Sequence, residues 1–275
     1  MNSKWLANDD IVNEMESFLK VYSQKPELVN EGGMKAPHMF ACWVMLRALR
    51  PTHIIESGVW RGMGTWLFRK AAPQAKLICL DPNPHFRYHT DQDAEYSEKD
   101  FFEYDWSDIP KDNTVLFFDD HQNALERLKF ASGKGFKHLI FEDNYPSTVG
   151  DCYSIKKALA GTGFSPAKAG ILPKNTLKRR IKKLLGLKTF EFLRFVNHPS
   201  EIPPNEEDRK WMEDKADIYF EFPPVYKMEK TRWGDSWDEA KYPGPQPLFT
   251  EYHEKYSLFY EEALFYTWIC YVRLK

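Results

Sequence analysis

Residues 53–66 read HIIESGVWRGMGTW, and this stretch decides the fold. Its apolar strand ends in the acid Glu56, a glycine-rich turn follows, and a helix is predicted from Thr65 to about Ala72. Glycines let a backbone turn sharply and approach a ligand closely, and the N-terminus of the helix behind the turn offers free N–H groups. The stretch therefore predicts the nucleotide-binding edge of a doubly wound α/β domain.

The spacing of the acid and the glycines indicates the kind of ligand. Glu56, Gly58, Gly62 and Gly64 form the pattern E-x-G-x-x-x-G-x-G, which is not the G-x-G-x-x-G of dinucleotide sites. An acid at this place repels a pyrophosphate but suits a ligand with positive charge and hydroxyl groups. S-adenosylmethionine (SAM) has a sulfonium, an ammonium and a ribose, so we expect it as the cofactor, held by Glu56, Gly58 and Gly62. The alternative is a strand, turn and helix whose glycines serve only packing.

The composition predicts a folded domain without a surface for polyanions. With 275 residues, 43% of them hydrophobic and 28% charged, the chain has the apolar content for one large domain, which we place at 1–275. The formal net charge of -2 gives the protein no overall field that attracts nucleic acid. The cysteines are scattered without a C-x-x-C pair, which argues against a zinc site and a disulfide scaffold.

The same features predict a cytoplasmic protein. No apolar run approaches the roughly 20 residues of a membrane span, and the polar, acidic N-terminus lacks the apolar core of a signal peptide. Unpaired cysteines suit a reducing compartment. We therefore expect a small-molecule or glycan substrate, with neither nucleic acid nor a transmembrane segment. A homo-oligomer is compatible with an enzyme of this size, although no stretch indicates an interface.

Strands and helices alternate along the chain. Apolar or alternating runs predict seven strands, at 52–56, 76–81, 101–106, 114–118, 137–141, 217–222 and 267–273. Helical spacing predicts helices at 9–24, 37–49, 65–72, 123–130 and 151–160. The β-α repeats predict a parallel sheet with right-handed crossovers. The two late strands fit an antiparallel hairpin, which completes a doubly wound, mostly parallel, seven-stranded α/β sheet of the Rossmann-like type.

Three segments fall outside this alternation. The first two helices, within 1–50, are expected to form an N-terminal helical cap on one edge of the sheet. Residues 163–215 combine a basic helical pattern at 175–187 with a Pro-rich, acidic stretch, and we interpret them as an inserted helical lid. The basic helix is either a solvated face, a clamp on an anionic or sugar-nucleotide substrate, or a contact to a membrane surface. Residues 223–250, rich in Pro and Trp, are expected to shape a pocket wall.

Acids follow the first five predicted strands, and ligands of parallel α/β sheets bind at the carboxyl ends of the strands. Asp81, after the second strand, is expected to bind ribose hydroxyls, or else to hold a turn before Pro82. Asp105 and Trp106 are the candidates for holding an adenine if 101–106 is the third strand.

A cluster of carboxylates is expected where the fourth and fifth strands end. Asp119 and Asp120 follow the fourth strand and Glu142 and Asp143 the fifth, and adjacent strand ends lie about 5 Å apart. Such carboxylates repel one another unless a cation neutralises them, and oxygen ligands select Mg²⁺, Ca²⁺ or Mn²⁺. The cation would hold substrate hydroxyls and lower the pKa of one. His121, with Asp120, is the catalytic candidate, and Asp119 also contacts the cofactor; the alternative for the acids is helix capping.

Residues 56–62, ESGVWRG, resemble the E-x-G-V-W-R-G signature of the macrolide-sugar O-methyltransferases of the macrocin and mycinamicin type. Phe141-Glu142-Asp143 resembles the acidic pair of that group and is closer to the Glu-Asp of the related cephalosporin hydroxylase-type proteins. The resemblance covers about residues 50–160. It implies the fold of the class I methyltransferases and a metal-dependent activity on sugar hydroxyls.

The resemblance also implies a set of ligands: Glu56, Gly58 and Asp81 for SAM, and Glu142, Asp143 and one of Asp119 and Asp120 for the metal. The group's usual Asp-Gly-Asp is Asp119-Asp120-His121 here, so the choice between the two aspartates stays open. The long aromatic C-terminal part has no counterpart in the group, which leaves the acceptor open.

Together these features predict a SAM-dependent, divalent-metal-assisted O-methyltransferase for a hydroxyl of a sugar, a glycan or another polyhydroxylated small molecule. Two other functions stay open. A hydroxylase-like metal oxygenase on the same fold needs a redox metal and two histidines with one carboxylate, a pattern that is not evident near these acids. A non-catalytic protein of this fold would bind partners through its aromatic C-terminal half.

Overall fold

The computed structural model describes residues 1–26, 30–147, 149–162 and 205–275. Its helices are α1 (Asn8–Asn13), α2 (Met15–Tyr22), α3 (Ala36–Leu49), α4 (Met63–Ala71), α5 (Ala124–Gly133), α6 (Ile155–Leu159), α7 (Glu206–Lys215) and α8 (Ser257–Glu261). Its strands are β1 (His53–Ser57), β2 (Lys76–Leu80), β3 (Glu95–Ser97), β4 (Thr114–Phe118), β5 (His138–Phe141), β6 (Ala216–Glu221) and β7 (Cys270–Leu274). Within these ranges, no helix is long and apolar enough to span a membrane.

One sheet contains these seven strands, in the order β3-β2-β1-β4-β5-β7-β6. Strands β1 to β5 are parallel, and β7 is antiparallel to both of its neighbours. The predicted doubly wound α/β sheet with a closing antiparallel hairpin is therefore confirmed. The chain builds outward from β1 to β3 and then adds β4 and β5 on the other side, so the strand order reverses between β1 and β4. Ligands bind beyond the carboxyl ends of the strands at such a reversal.

Helices cover both faces of the sheet. Successive side chains of a strand point to opposite faces, so Ile54 and Ile140 enter a core formed with α1–α4 and α8. Ile55 and Leu139 enter a second core, formed with α5–α7. Because neither face meets water, the central strands are continuous apolar runs, as a parallel sheet requires. The polar residues that follow these strands are consequently held on a rigid support.

The N-terminal helices cover a face of the sheet, so their predicted place on an edge is wrong. Residues 36–46 of α3 are all buried, and the helix packs between α2 and α4 within the first core. A helix that is apolar on every side needs partners all round, which a sheet edge does not offer. The helix predicted over 9–24 is interrupted at Glu14, whose carboxylate accepts a hydrogen bond from Trp43 Nε1 (3.0 Å).

The third strand is β3, so the prediction of a strand at 101–106 is wrong. Asp100 starts a turn there by accepting a hydrogen bond from the N–H of Phe102 (2.9 Å). Phe101 and Trp106 both enter the second core, and Trp106 Nε1 donates to the Phe101 carbonyl oxygen (3.0 Å). Two large apolar residues that pack inward from one turn imitate the composition of a short strand.

Residues 163–204, which include the basic pattern at 175–187, lie outside the described residues, so the lid and its basic helix stay predictions. The rest of that segment, 206–215, forms α7. The Asn205 side chain caps this helix by accepting from the Asp208 N–H (3.2 Å), and Met212 is buried in the second core. Helix α7 therefore belongs to the layer that covers the sheet.

Candidate active site

The turn after β1 needs glycine at two positions. Gly58 has φ +89°, and a Cβ atom there would lie 2.2 Å from the carbonyl oxygen of Asp119. Gly62 has φ +84°, and its Cβ atom would lie 2.2 Å from the carbonyl oxygen of His89. Both residues adopt the left-handed conformation that favours glycine. The turn therefore brings the ends of β1 and β4 into backbone contact, which no side chain at Gly58 would permit.

Glu56 is buried at the end of β1, against the N-terminus of α4. The Thr65 hydroxyl donates to its Oε2, and the Cys79 thiol lies 3.4 Å from the same oxygen. A Cβ atom on Gly64 would lie 2.2 Å from Oε1, so both oxygens are enclosed. Burial raises the pKa of Glu56 to about 8, because the charged form loses its hydration. A cation in the adjacent cleft would favour the charged form.

Asp81, at the end of β2, holds the glycine turn. Its Oδ2 accepts hydrogen bonds from the backbone N–H groups of Val59 (3.2 Å) and Trp60 (3.0 Å). Its Oδ1 accepts from the N–H of Asn83 (2.8 Å). The turn-holding alternative is thus part of its role. Each carboxylate oxygen has more than one lone pair, so these bonds leave acceptor capacity, and the ribose contact stays a prediction.

The structure does not bring Asp105 and Trp106 to this edge of the sheet as ligands. Asp105 is exposed and accepts from the N–H (3.0 Å) and the hydroxyl (2.8 Å) of Ser107. Trp106 is 3% exposed and lies in the second core. Their adenine role depended on a strand at 101–106. The turn found there directs one side chain to solvent and the other into the core, so neither residue is placed to hold an adenine.

A narrow cleft opens over the glycine turn, between the ends of β1 and β4. Asn30, Glu56, Gly58 and Asp119 are among the residues that line it. Asn30 Nδ2 donates to the Met34 carbonyl oxygen (2.9 Å), which determines that Oδ1 is the other end of the amide. That Oδ1 is buried and has no hydrogen-bond partner among the described residues. Because an unpaired buried acceptor is costly, the cleft offers it to an N–H or O–H group of a ligand.

The carboxyl ends of β4 and β5 bring Asp119, His121 and Asp143 together. One ligand atom from each of the three lies within 4.8 Å of the others. His121 Nδ1 lies 3.0 Å from Asp143 Oδ2 and 3.2 Å from Asp151 Oδ1. Asp119 also lines the cleft over the glycine turn. We call Asp119, His121, Glu142 and Asp143 the acid cluster. Asp119 belongs both to this cluster and to the lining of the cleft.

Burial and repulsion between like charges dominate the acid cluster. Burial, and then the Glu142 and Asp143 carboxylates, raise the pKa of Asp119 well above its usual value. Burial and the Glu142 carboxylate raise the pKa of Asp143 to about 8. The Asp143 carboxylate in turn raises the pKa of His121 to about 11. As long as the Asp143 carboxyl group is ionised, His121 is held as an imidazolium, and it accepts no proton unless another cation compensates these acids.

Asp120 points away from the acid cluster. Its Oδ2 accepts hydrogen bonds from the Ser57 hydroxyl (2.8 Å) and from Arg127 Nε (3.0 Å). The same guanidinium binds both carboxylate oxygens of Asp100 (2.7 and 2.6 Å). Burial raises the pKa of Asp120, while Arg127 and Ser57 oppose that shift. Of the two adjacent aspartates, the structure thus places Asp119 with His121 and Asp143, and it places Asp120 in an ion pair with Arg127.

Glu142 joins the acid cluster to a histidine that the sequence analysis did not single out. His38 Nδ1 lies 2.5 Å from Glu142 Oε1, and burial lowers the pKa of His38 to about 3, so the ring is neutral. Asp151, the second partner of His121, was also missed. No spacing links either residue to the strand ends, because His38 comes from α3 and Asp151 from the loop before α6. Only the packed structure identifies them.

Aromatic residues bound the acid cluster on the side of β5. Tyr145, Val149, Cys152, Tyr242, Tyr266 and Trp268 are buried together, and Trp233 and Trp237 pack against them. The Tyr145 hydroxyl hydrogen-bonds to the Asp143 carboxyl group, so this aromatic cluster adjoins the acids directly. Most of its members come from the segment between β6 and β7, part of which was predicted to form a pocket wall.

No family model and no curated protein matches the chain. Solved structures do match. The apo structure of CmcI-N160 has 20% sequence identity and a TM-score of 0.36, over 43% of this chain and 57% of that chain. PaMTH1, a methyltransferase from Podospora anserina bound to SAH, has 10% identity and a TM-score of 0.45, over 100% of this chain and 91% of that chain. TomG, an O-methyltransferase from Streptomyces achromogenes involved in tomaymycin synthesis and solved with SAM, has 14% identity and a TM-score of 0.38, over 68% and 88%.

The match spans little more than half of the first of these structures, 57% of its length. All three TM-scores are below 0.5. The fold assignment therefore rests on the strand order of this chain and on its antiparallel β5-β7-β6 end. By that topology the chain has the Rossmann-like fold of the class I methyltransferases.

Proposed function

We propose that this chain is a SAM-dependent, divalent-metal-assisted O-methyltransferase for a hydroxyl of a sugar, a glycan or another polyhydroxylated small molecule. The observation that carries the proposal is the position of Asp119. It lines the glycine-turn cleft and also belongs to the acid cluster. A methyl donor in the cleft and a hydroxyl held at the cluster would therefore meet at one residue, and such proximity supplies much of the rate of a two-substrate reaction.

The chemistry of the cleft suits SAM. The unpaired Asn30 Oδ1 and the acids Glu56 and Asp119 offer acceptors and negative charge to an ammonium and a sulfonium. Gly58 and Gly62 allow the turn to pack directly against the carbonyl oxygens of Asp119 and His89, which shapes the floor of the cleft. We assign Asp81, at the end of β2, to the ribose hydroxyls, as acids at this position of a nucleotide-binding sheet act. In this assignment the methionine part lies toward β4 and the ribose toward β2.

The acid cluster suits a divalent cation. Asp143 Oδ2 is buried and receives no hydrogen bond of good geometry from the described residues, although His121 Nδ1 lies 3.0 Å away. We propose Asp119, Glu142 and Asp143 as ligands of Mg²⁺, with Ca²⁺ or Mn²⁺ as the alternatives. We do not include Asp120, because Arg127 already compensates its charge. A bound cation of this kind lowers the pKa of a substrate hydroxyl.

His121 is proposed to take the proton that the acceptor hydroxyl loses. Its Nδ1 faces Asp143 and Asp151, so Nε2 is the nitrogen that can face an acceptor, and the side chain is 51% exposed. Once the acids are compensated, the pKa of His121 falls toward its usual range and Nε2 can accept the proton. SAM, when bound in the cleft, would supply the methyl group to the acceptor oxygen and would leave as the neutral thioether.

The test is calorimetric titration of SAM into the wild type and Asp119→Asn, with and without Mg²⁺, followed by transfer of labelled methyl groups to a panel of sugars. Asp112→Asn is the matched control, since Asp112 is an exposed acid paired with Lys137 (3.3 Å) beside the opposite ends of β4 and β5. We expect the wild type and the control to bind SAM and to transfer methyl groups, and Asp119→Asn to lose transfer. A wild type that binds no SAM under either condition overturns the proposal.

One observation favours the transferase over the hydroxylase alternative. Within the described part of the chain, the group whose ligand atoms lie within 4.8 Å of one another contains only one histidine, His121, beside Asp119 and Asp143, and the ligands proposed above are all carboxylates. Oxygenases of the facial-triad type use two histidines and one carboxylate. Cytoplasmic location, a small-molecule or glycan substrate and a homo-oligomer remain predictions of the sequence.

A further inference from the structure

His38 is a fully buried histidine that contacts the acid cluster from the N-terminal helices. It lies in the first turn of α3 and is 1% exposed. Its Nδ1 lies 2.5 Å from Glu142 Oε1, and the backbone N–H of Thr267 donates to its Nε2 (2.9 Å). The Tyr266 ring meets the imidazole edge to face, with ring centroids 5.6 Å apart. These contacts determine both the position and the plane of the ring.

The same contacts determine which ring nitrogen carries the proton. A backbone N–H is only a donor, so Nε2 accepts the bond from Thr267 and carries no hydrogen. The one proton of the neutral ring is then on Nδ1 and points at Glu142 Oε1. A hydrogen bond to a carboxylate is stronger than one between neutral groups. His38 therefore gives Glu142 one directed hydrogen bond.

Glu142 is held between His38 and the other acids. Its Oε1 accepts from His38, and its carboxyl group also hydrogen-bonds to that of Asp143. Rotation of the Glu142 carboxyl group would break the bond from His38. When both acids are ionised, as ligands of a cation are, the hydrogen bond between Glu142 and Asp143 is lost, and repulsion from Asp119 and Asp143 would then favour orientations of Glu142 that point away from them. The His38 bond thus opposes the electrostatic force that would disperse the acids.

We propose that His38 is a positioning residue, whose Nδ1–H bond holds the Glu142 carboxyl group beside Asp143, where it can complete a divalent-cation site with Asp119 and Asp143. The inference rests on the metal assistance in the proposed function. Hydrogen bonds to metal ligands orient those ligands, and their removal typically lowers metal affinity by about 10–100-fold. It gives the N-terminal helices a direct part in the site, because α3 supplies the residue that orients an acid after β5.

Two variants of His38 separate its two hydrogen bonds. The amide nitrogen of His38→Asn falls near Nδ1, so it keeps the donor to Glu142 and loses the acceptor for Thr267. The amide oxygen of His38→Gln falls near Nε2, so it keeps the acceptor for Thr267 and loses the donor to Glu142. His138→Gln is the matched control, since His138 is a partly buried histidine bonded to the Tyr271 hydroxyl (2.6 Å) at the far end of β5.

The measurements are the Mg²⁺ affinity by calorimetry in the presence of SAH, and the melting temperature without Mg²⁺. We expect His38→Gln to bind Mg²⁺ about 10–100-fold more weakly than the wild type, and His38→Asn and His138→Gln to bind it nearly as the wild type does. Equal Mg²⁺ affinity of His38→Gln and the wild type overturns the inference alone. A loss of affinity that follows the melting temperature across all three variants also overturns it. A wild type that binds SAH but no divalent cation overturns the metal assistance, and the inference with it.

Discussion

Asp119 and Asp120 are neighbours in the chain, but the protein compensates their charges differently. Asp120 accepts hydrogen bonds from Ser57 and Arg127, and Arg127 is 2% exposed, so folding itself supplies a buried counter-charge. Asp119 lies among Glu142 and Asp143, whose carboxylates raise its pKa further. The charge of Asp120 is thus used to hold the structure together. Asp119 shares the single His121 imidazolium with Asp143, and in our proposal a bound cation compensates the remaining charge and offsets its cost in stability.

The largest loss of stability should come from removing Arg127, the counter-charge of Asp120. Arg127→Met leaves Asp120 and Asp100 without their buried partner, and breaking such a pair costs about 3–5 kcal/mol of unfolding free energy. Urea unfolding measures this loss. Lys137→Met is the control, because Lys137 and its partner Asp112 (3.3 Å) are both exposed, and an exposed pair is worth at most about 1 kcal/mol. Equal losses of unfolding free energy in the two variants would show that the ion pairs of Arg127 contribute no more to stability than an exposed pair does.

The two adjacent aspartates should respond in opposite ways to the same change. Asp119→Asn removes a proposed ligand and one source of repulsion, so we expect Mg²⁺ affinity to fall about 100-fold, while the metal-free protein unfolds at the same or a higher temperature. Asp120→Asn should keep the Mg²⁺ affinity but lose about 1–3 kcal/mol, since it weakens a charged hydrogen bond to Arg127. Calorimetry and urea unfolding of both variants make the test. Similar behaviour of the two variants contradicts the comparison.

The backbone contact that brings Asp119 to the cleft should also be measurable. Gly58→Ala places a Cβ atom against the Asp119 carbonyl oxygen in a left-handed conformation, so we expect a loss of at least about 1–2 kcal/mol and weaker SAM binding. Gly133→Ala is the control, because a Cβ atom there meets nothing within 4 Å in α5. That substitution should stabilise the protein by about 0.4–1 kcal/mol. If Gly58→Ala kept the stability and the SAM affinity of the wild type, the close backbone contact between the ends of β1 and β4 would not require glycine at position 58.

The smallest predicted effect is a pH dependence. Folding raises the pKa of Asp143 to about 8, whereas an unfolded Asp titrates near about 4, so the folded state binds more protons between these values. By linkage, the stability from this group is fully present below about pH 4 and is lost as the pH rises through about 8. The melting temperature without Mg²⁺ should therefore fall as the pH rises across this window.

Mg²⁺ should reverse that trend, because a cation favours the ionised acids. Its stabilising shift should grow as the pH rises from 6 to about 8.5, and differential scanning fluorimetry measures it. Asp100 offers an internal contrast. The Arg127 guanidinium lowers its pKa, so its contribution is present above about pH 4 and is lost only as the pH falls below that value. A shift with Mg²⁺ that does not change with pH would contradict the account of the acid cluster.

The sequence by itself determined the α/β class, the glycine turn and the strands whose ends carry acids. Apolar runs that end in acids at β1, β2, β4 and β5 are local patterns, and parallel strands bring their carboxyl ends to one edge of a sheet whatever the loops do. The presence of acids near a nucleotide-type cleft therefore followed from the chain alone. Their individual roles did not.

Only the tertiary structure decided which of the two aspartates faces the cluster and which side chains orient it. Adjacent residues point in different directions, and the turn after β4, with His121 at φ +53°, sends Asp119 to the cleft and Asp120 to Arg127. His38 reaches Glu142 across 104 positions of the chain. No local pattern encodes such contacts, because they arise when α3 packs on the face of the sheet beside the end of β5. For the same reason, the burial that shifts the pKa of each acid belongs to the packed molecule and not to the residue.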